Sequence, residues 1–356
     1  MAKNNNLTDF LTDVANAIRE KDGSTGTINP QDFSNKIKAI QTGVDTSDAT
    51  ATSADILKDK TAYVNGTKVT GAIETYDGTV ENVVVVYTDC LTFTGETSDF
   101  TLKAKYKEWD GTLEWSTDHT NWTTLTGTEA MQSVGKKLYL RGKGNTKFKT
   151  SIGIAWQLSA RAGCSGNIQT LLDWESPPTS ISTGSCYEAM FWTCTNLTTA
   201  PELPATTLAQ NCYYSMFSGC TNLTTAPKLP ATTLANYCYR NMFVRCSNLT
   251  TAPELPATTL AEGCYYSMFS SCTNLTAAPA LPATKLADDC YNSMFNNCTK
   301  LKLSTTQTTE YKTAWRIPSI GTISNTSTMW SRNMLKDTGG TFTGNPSINT
   351  TYYGAW

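Results

Sequence analysis

A 26-residue repeat constrains the fold of this chain more than any other feature. Ten of its twelve cysteines recur at this interval. The two series are Cys186, Cys212, Cys238, Cys264, Cys290 and Cys194, Cys220, Cys246, Cys272, Cys298. Met190-Phe191 and Leu197 recur in step with them. A fixed period of about 20 to 50 residues is typical of stacked repeats, in which no unit can bury its apolar face alone. We therefore expect residues 186–301 to form five units of a solenoid.

Each unit is predicted to contain a short helix and a short strand. The inward positions of the helix, at spacings of four, five and eight, are Cys212, Met216, Phe217 and Cys220. Leu223 and Ala226 fit a strand, which Pro227 and Pro230 limit to about three residues because proline cannot donate to a sheet. Residues 151–185 and 302–356 keep only parts of the pattern, so we expect them to cap the two ends.

The cysteine series have three interpretations. Reduced thiols that pack as small apolar groups are favoured. Disulfides are an alternative, since stacked strands about 4.8 Å apart bring equivalent positions within reach. A metal site is disfavoured, because the spacing differs from that of zinc ligands and the one histidine, His119, is distant in sequence.

The unit Met216-Phe217-Ser218-Gly219-Cys220-Thr221-Asn222-Leu223-Thr224-Thr225-Ala226-Pro227 resembles the BspA-like class of bacterial and phage leucine-rich repeats. The resemblance implies a leucine-rich-repeat solenoid with an adhesive or recognition role, and it fixes no ligand.

The N-terminal part is predicted to hold a helical region over 1–43 and a linker with a β-hairpin over 44–75. Two apolar helix faces are carried by Phe10, Leu11, Val14 and Ile18 and by Phe33 and Ile37. Asn65-Gly66 between β-formers is a strong hairpin signal. Residues 54–71 and the helical pair resemble the N-terminal regions of tail fibres and other appendages of tailed phages. The resemblance implies attachment to other virion proteins through residues 1–75, with the six apolar residues as the attachment face.

Residues 76–150 alternate in the manner of a small β-sandwich, with strand candidates at 80–87, 91–93, 100–106, 112–116 and 137–141. The stretch Leu113-Glu114-Trp115-Ser116-Thr117-Asp118-His119-Thr120-Asn121-Trp122 resembles Ig-like modules that precede such repeats. The expected fold class is thus mixed α+β and multidomain: a helical anchor with a β-hairpin, an Ig-like sandwich and a C-terminal solenoid.

Several functional classes are disfavoured. A net charge of −2 gives no basis for binding nucleic acid. No segment approaches the roughly 20 apolar residues of a membrane helix, and no secretory signal is recognised. His119 is expected to be a solvated loop residue, and no phosphate-binding or dinucleotide motif appears. Glu202 and Glu254 share one repeat position, so a two-carboxylate glycosidase remains a distant alternative. We expect no enzyme activity and no cofactor.

Positions that vary between repeats indicate where a ligand could bind. The residue two positions after the first cysteine is Glu188, Tyr214, Arg240, Tyr266 or Asn292. Aromatic and arginine side chains are favoured at recognition surfaces. From this column and the neighbouring variable positions, we therefore predict ligand contacts by Trp192, Tyr214, Tyr237, Arg240, Arg245 and Tyr266. The alternative is that exposed positions vary because nothing constrains them.

The sequence is therefore interpreted as a phage fibre protein, assembled in the host bacterial cytoplasm and carried on the virion. Its repeats would bind a host cell-surface glycan or protein, and the resemblance to phage fibres implies a homo-oligomer, a trimer. The alternatives are a structural head fibre or capsid decoration protein, and a bacterial surface adhesin.

Overall fold

The computed structural model describes residues 12, 14–19, 25–32, 61–64, 67–70, 90–149, 153–323, 329–342 and 344–355. The chain divides into two compact units, Met1–Val85 and Val86–Trp356. The described residues are mostly β, in several antiparallel sheets and with few helical turns. Of the expected mixed α+β class, the described residues show the β-rich part and only short helical segments. None of the described helices is long and apolar enough to cross a bilayer.

In the first unit, residues 14–19 are helical, and Ala15 and Ile18 are buried against Ile28. A 3-10 turn spans Pro30–Asp32. Its cap is the side chain of Asn29, which accepts a hydrogen bond from the Gln31 N–H at 3.0 Å.

Strands β1 (Thr61–Val64) and β2 (Thr67–Thr70) pair antiparallel, with Val64 opposite Thr67. This is the hairpin arrangement that Asn65-Gly66 predicts. Of the predicted attachment face, Val14 packs against the buried Ala15–Ile18–Ile28 cluster. The other predicted attachment residues, Phe10, Leu11, Phe33 and Ile37, and the strand predicted at 80–87 lie outside the described residues.

The second unit begins with two antiparallel sheets. Their strands are β3 (Leu91–Gly95), β4 (Thr101–Ala104), β5 (Thr112–Ser116), β6 (Thr123–Thr124), β7 (Met131–Gln132), β8 (Lys137–Lys143), β9 (Trp156–Leu158) and β10 (Ala162–Ser165). One sheet has the order β10-β3-β8-β5-β6 and the other β7-β4-β9. Alternate side chains of β3 and β8 are buried, as expected for strands with one face in a core. The sheets extend past residue 150 to Ser165, into the segment expected to be a cap.

The sheets join the repeats through backbone hydrogen bonds and a shared core. The Phe148 N–H donates to the Cys186 carbonyl at 2.6 Å, and the Trp156 N–H to the Met190 carbonyl at 2.8 Å. The ring of Phe148 stacks on that of Tyr187 with centroids 5.8 Å apart. One buried cluster runs from β3 through the repeats to the C-terminal sheet, so the sheets close the first repeat against water. In the segment between β10 and the first repeat, a 3-10 turn spans Ile168–Leu171.

The backbone of each repeat differs from the predicted helix. In the second repeat every fourth residue has a left-handed conformation: Asn211 (φ 57°), Ser215 (φ 53°) and Gly219 (φ 78°). The N–H groups of Tyr214, Met216, Ser218 and Cys220 donate to the residue three positions earlier. Those of Asn211, Tyr213, Ser215, Phe217 and Gly219 donate to the next repeat. The helix prediction is wrong because half of the donors pair across repeats, which an α-helix does not allow.

The side chains predicted to face inward form continuous buried columns, and the tyrosine after the first cysteine of each repeat, which was not among them, forms another. Tyr213 stacks on Tyr239 at 5.7 Å, and Phe217 on Phe243 at 5.6 Å, with nearly parallel rings in both pairs. All twelve cysteines are buried, and none of them forms a disulfide. Short parallel bridges, such as Thr225 with Thr251, occupy the predicted strand position. Pro227 and Pro253 follow these two residues and cannot donate to a ladder, so the bridge does not grow into a longer strand on that side.

The last repeat is covered by the C-terminal segment. The Tyr291 N–H donates to the Trp330 carbonyl at 2.8 Å, and Phe295 N–H to the Met334 carbonyl at 3.0 Å. Residues 330–337 therefore continue the turn pattern by one more layer. Strands β11 (Leu303–Ser304), β12 (Thr313–Ile317) and β13 (Thr350–Gly354) form a sheet in the order β11-β13-β12, which completes the core at this end.

Candidate binding surface

The variable column that follows the first cysteine of each repeat lies on the turns, with its side chains half-buried between neighbouring repeats. It runs through Glu188, Tyr214, Arg240 and Tyr266 to Asn292, the last of which is buried. Glu188 at the first end forms an ion pair with Lys149. Asn292 at the other end donates to the Asp289 carboxylate at 2.8 Å. The middle of the column is occupied by two tyrosines and an arginine.

Four of the six predicted binding residues meet here. The guanidinium carbon of Arg240 lies 4.5 Å from the ring centroid of Tyr266, 5.4 Å from that of Tyr237 and 5.6 Å from that of Tyr214. A cation within about 6 Å of a ring centroid is attracted by the ring's negative face. We name these four residues the tyrosine–arginine cluster. It spans the second, third and fourth repeats.

Tyr237 is a bulky residue at a left-handed position that the repeats share, since the equivalent residues Asn211, Gly263 and Asp289 have φ 57°, 53° and 54°. It has φ 58°, a left-handed conformation that is rare for a bulky residue. Its ring lies over Gly263 at the same position in the next repeat, where a Cβ atom would be 2.4 Å from two ring carbons. Its hydroxyl donates to the Glu262 carboxylate. This hydrogen bond raises the pKa of Tyr237, and the nearby Arg240 charge partly opposes the effect.

The charge of Arg240 is not neutralised locally. Its guanidinium has no hydrogen-bond or ion-pair partner among the described residues, and its Nε–H is buried. Glu262, the acidic side chain bonded to Tyr237, also accepts a hydrogen bond from the Asn236 amide at 3.4 Å. The cluster therefore presents a cation held between aromatic rings.

The remaining two predicted residues have no recorded contact with this cluster. Trp192 is 41 % exposed, and the ammonium of Lys105 lies 5.8 Å from its ring. Arg245 is exposed and has φ 61° at a position where the preceding repeat has Gly219. The structure thus brings together four of the six residues and leaves Trp192 beside the sheets.

Compared with protein-family models, with curated proteins and with solved structures, the chain shows no match. The functional proposal therefore rests on the geometry of this surface.

A second aromatic group was missed at the sequence level. The guanidinium carbon of Arg141 lies 4.1 Å from the ring centroids of both Trp122 and Trp174, and its Nε donates to Glu114 at 2.7 Å. Trp174 comes from the segment after the sheets, so the stack ties that segment to β8. Of these three residues, only Trp122 lay in a stretch that the sequence analysis singled out. The contact between Arg141 and Trp174 could not be predicted, because the fold alone brings them together.

His119 differs from the expected solvated loop residue. Its Nε2 lies 2.9 Å from the Cys90 Sγ, and its ring contacts Tyr139 edge-on at 4.5 Å. Burial lowers the pKa of His119, and the charge of Arg141 adds to the effect. Both effects favour the neutral imidazole. It lies against a buried thiol. None of its described contacts is with a third group that would orient it as a catalytic base.

Glu202 and Glu254 line three shallow grooves between the proline segments of consecutive repeats, with cavity volumes of ≈ 450, 600 and 280 Å³. Lys228 lies between them in the series of grooves. Within the described part of the chain, no group of three or more His, Cys, Asp and Glu side chains is placed to hold a metal ion.

Proposed function

We propose that this chain is a virion-attached fibre protein of a tailed phage that binds a host cell-surface glycan. In this proposal residues 186–301 are a leucine-rich-repeat solenoid, and the two sheets that precede them are an Ig-like sandwich that acts as a spacer. Residues 1–75 attach the chain to other virion proteins. The fibre is a homo-oligomer, a trimer, assembled in the host bacterial cytoplasm.

The tyrosine–arginine cluster is the single observation that carries the binding role. It consists of three half-buried tyrosines around an arginine whose Nε–H has no hydrogen-bond acceptor among the described residues. Tyrosine offers an apolar ring and a polar hydroxyl together, which suits the faces and hydroxyl groups of a sugar.

A binding assay with the full chain tests the proposal. The labelled protein is incubated with candidate host bacteria, and excess unlabelled protein is tested for its ability to block infection. We expect saturable binding that blocks infection, and loss of both in the triple variant Y214A/R240A/Y266A. The matched control is T206A/T232A/T258A, which truncates three exposed threonines at equivalent positions elsewhere in the repeats.

Two results would contradict the proposal. Absence of saturable binding, with the protein present in purified virions, would favour the structural head-fibre alternative. Equal binding by the triple variant and the control would place the binding surface outside the cluster. Circular dichroism and thermal unfolding of both variants establish that each is folded before binding is compared.

A further inference from the structure

The guanidinium of Arg240 has an unfilled requirement for hydrogen-bond acceptors. Its buried Nε–H finds none, and no described residue accepts from its other N–H groups. Buried donors in native structures nearly always have a partner, so an orphaned one in a surface cluster calls for an explanation. The rings of Tyr214 and Tyr266, one repeat before and one repeat after, attract the cation but accept no conventional hydrogen bond.

The protein's own acids do not serve as that partner. The Glu262 carboxylate is engaged by the Tyr237 hydroxyl and the Asn236 amide. Asp289, which occupies the position of Tyr237 and Gly263 in the last repeat, accepts a hydrogen bond from the Asn292 amide. Each nearby carboxylate therefore already has a partner that is not Arg240.

The charge distribution along the repeats favours an anion on one side of the cluster. Residues 203–253 contain Lys228, Arg240 and Arg245 and no aspartate or glutamate. The acids of the turn segments lie outside this range, at Glu188 in the first repeat and at Glu262, Asp288 and Asp289 after the cluster. An anion that approaches from the second repeat thus meets only neutral and basic side chains before it reaches Arg240.

We infer that the tyrosine–arginine cluster binds an anionic saccharide, with a carboxylate or phosphate of the sugar on the Arg240 guanidinium and the sugar ring against a flanking tyrosine. The inference rests on the proposed function, since it names the chemical class of the glycan. A guanidinium offers a planar fork of donors that matches the oxygens of a carboxylate or phosphate. The tyrosine rings fix the plane of that fork before the ligand arrives, which lowers the entropic cost of binding.

Binding of the full chain to defined polymers tests this inference. The carboxylate probe is polygalacturonate, compared with the same polymer after methyl esterification. The phosphate probe is poly(glycerol phosphate), compared with neutral dextran. We expect one charged probe to bind at least about tenfold more tightly than its neutral counterpart, with an affinity that falls as salt increases. The R240Q variant should lose this difference, while R332Q, which removes an exposed arginine of the C-terminal layer, should keep it.

The outcomes separate this inference from the proposed function. Equal affinity for charged and neutral probes, or an unchanged preference in R240Q, overturns the inference. If R240Q still binds host bacteria while Y214A/R240A/Y266A does not, the cluster binds a neutral glycan and only the proposed function survives. Preference for an acidic peptide, poly-glutamate, over both saccharide probes would likewise overturn it, since the ligand would then be a protein. Failure to bind host cells, together with Arg240-dependent binding of a charged polymer, would refute the cellular role and support the chemistry.

Discussion

The thiol of Cys246 donates a hydrogen bond to the carbonyl oxygen of Phe217 in the preceding repeat, at 3.1 Å. The same bond joins Cys220 to Phe191, Cys272 to Phe243 and Cys298 to Phe269, at 3.0 to 3.1 Å. The second cysteine series therefore links each repeat to the one before it while filling the core. An alanine would fill less volume and a valine would supply no donor, which explains why cysteine suits this position.

Replacement of Cys246 by alanine should lower the free energy of unfolding by about 1 to 3 kcal/mol, since it leaves a small cavity and removes a donor. Denaturant-induced unfolding, followed by circular dichroism, measures the loss. T232A, which truncates an exposed side chain, should change stability by less than about 0.5 kcal/mol. A C246A protein as stable as the wild type would mean that the thiol bond contributes nothing.

Stability should fall at alkaline pH because the thiols are buried in their neutral form. Burial raises the pKa of Cys238 and of Cys246 to about 12, against about 8.5 in an unfolded chain. The folded state therefore retains protons that the unfolded state loses. This contribution is complete below about pH 8.5 and is lost as pH rises towards 12, at up to about 1.4 kcal/mol per pH unit for each thiol.

Unfolding under reducing conditions at about pH 7.5 and about pH 9.5 measures this loss. Iodoacetamide should label these cysteines only after unfolding, because the thiolate is the reactive form. Equal stability at the two pH values, or rapid labelling of the folded protein, would contradict the buried-thiol arrangement.

Arg245 should carry backbone strain that glycine relieves. It has φ 61° where the preceding repeat has Gly219 at φ 78°. Left-handed backbone costs an ordinary residue about 1 to 2 kcal/mol. R245A removes the side chain but keeps the strain, so it is the matched control. We expect R245G to exceed R245A in free energy of unfolding by about 1 kcal/mol, and thermal unfolding of the pair checks the sign. An R245G protein less stable than R245A would show that the position is unstrained.

The stacking of Arg141 between two indoles should contribute beyond its charge. R141K keeps the charge opposite Glu114 but loses the planar stack, so we expect a loss of about 1 kcal/mol and a change in tryptophan fluorescence. R161K is the control, because Arg161 pairs with Glu96 at 2.8 Å on the exposed surface and exposed pairs contribute little. Equal losses in the two variants would assign the effect to the ion pair alone.

The sequence predicted which residues are buried better than it predicted the backbone that buries them. Met216, Phe217 and Cys220 are fully buried, as their spacing indicates. Over nine residues, however, a helical period of 3.6 cannot be told from the period of four that the turns produce. The distinguishing signal was the occurrence of Asn211, Ser215 and Gly219 at every fourth position, since such residues tolerate left-handed backbone.

Comparison of the repeats with one another located the cluster but not its geometry. Variation along the column predicted Tyr214, Arg240 and Tyr266 as binding residues, and the structure places Arg240 in contact with both tyrosines. The same comparison grouped them with Trp192, because variability does not report distance. The importance of Gly263 could not be read from sequence, since its missing side chain matters only when the Tyr237 ring is known to lie above it.

The contact between Gly263 and Tyr237 can be measured as a coupling energy. G263A places a Cβ atom 2.4 Å from the Tyr237 ring and must displace it, so it should destabilise the wild-type protein and weaken ligand binding. In a Y237A background the ring is gone, and the same substitution should cost only the strain of a left-handed alanine, since Gly263 has φ 53°. The double-mutant cycle should therefore give a coupling of about 0.5 to 3 kcal/mol. Additive effects of G263A and Y237A would show that the ring does not lie over the glycine, and Tyr237 would then have no defined place beside Arg240.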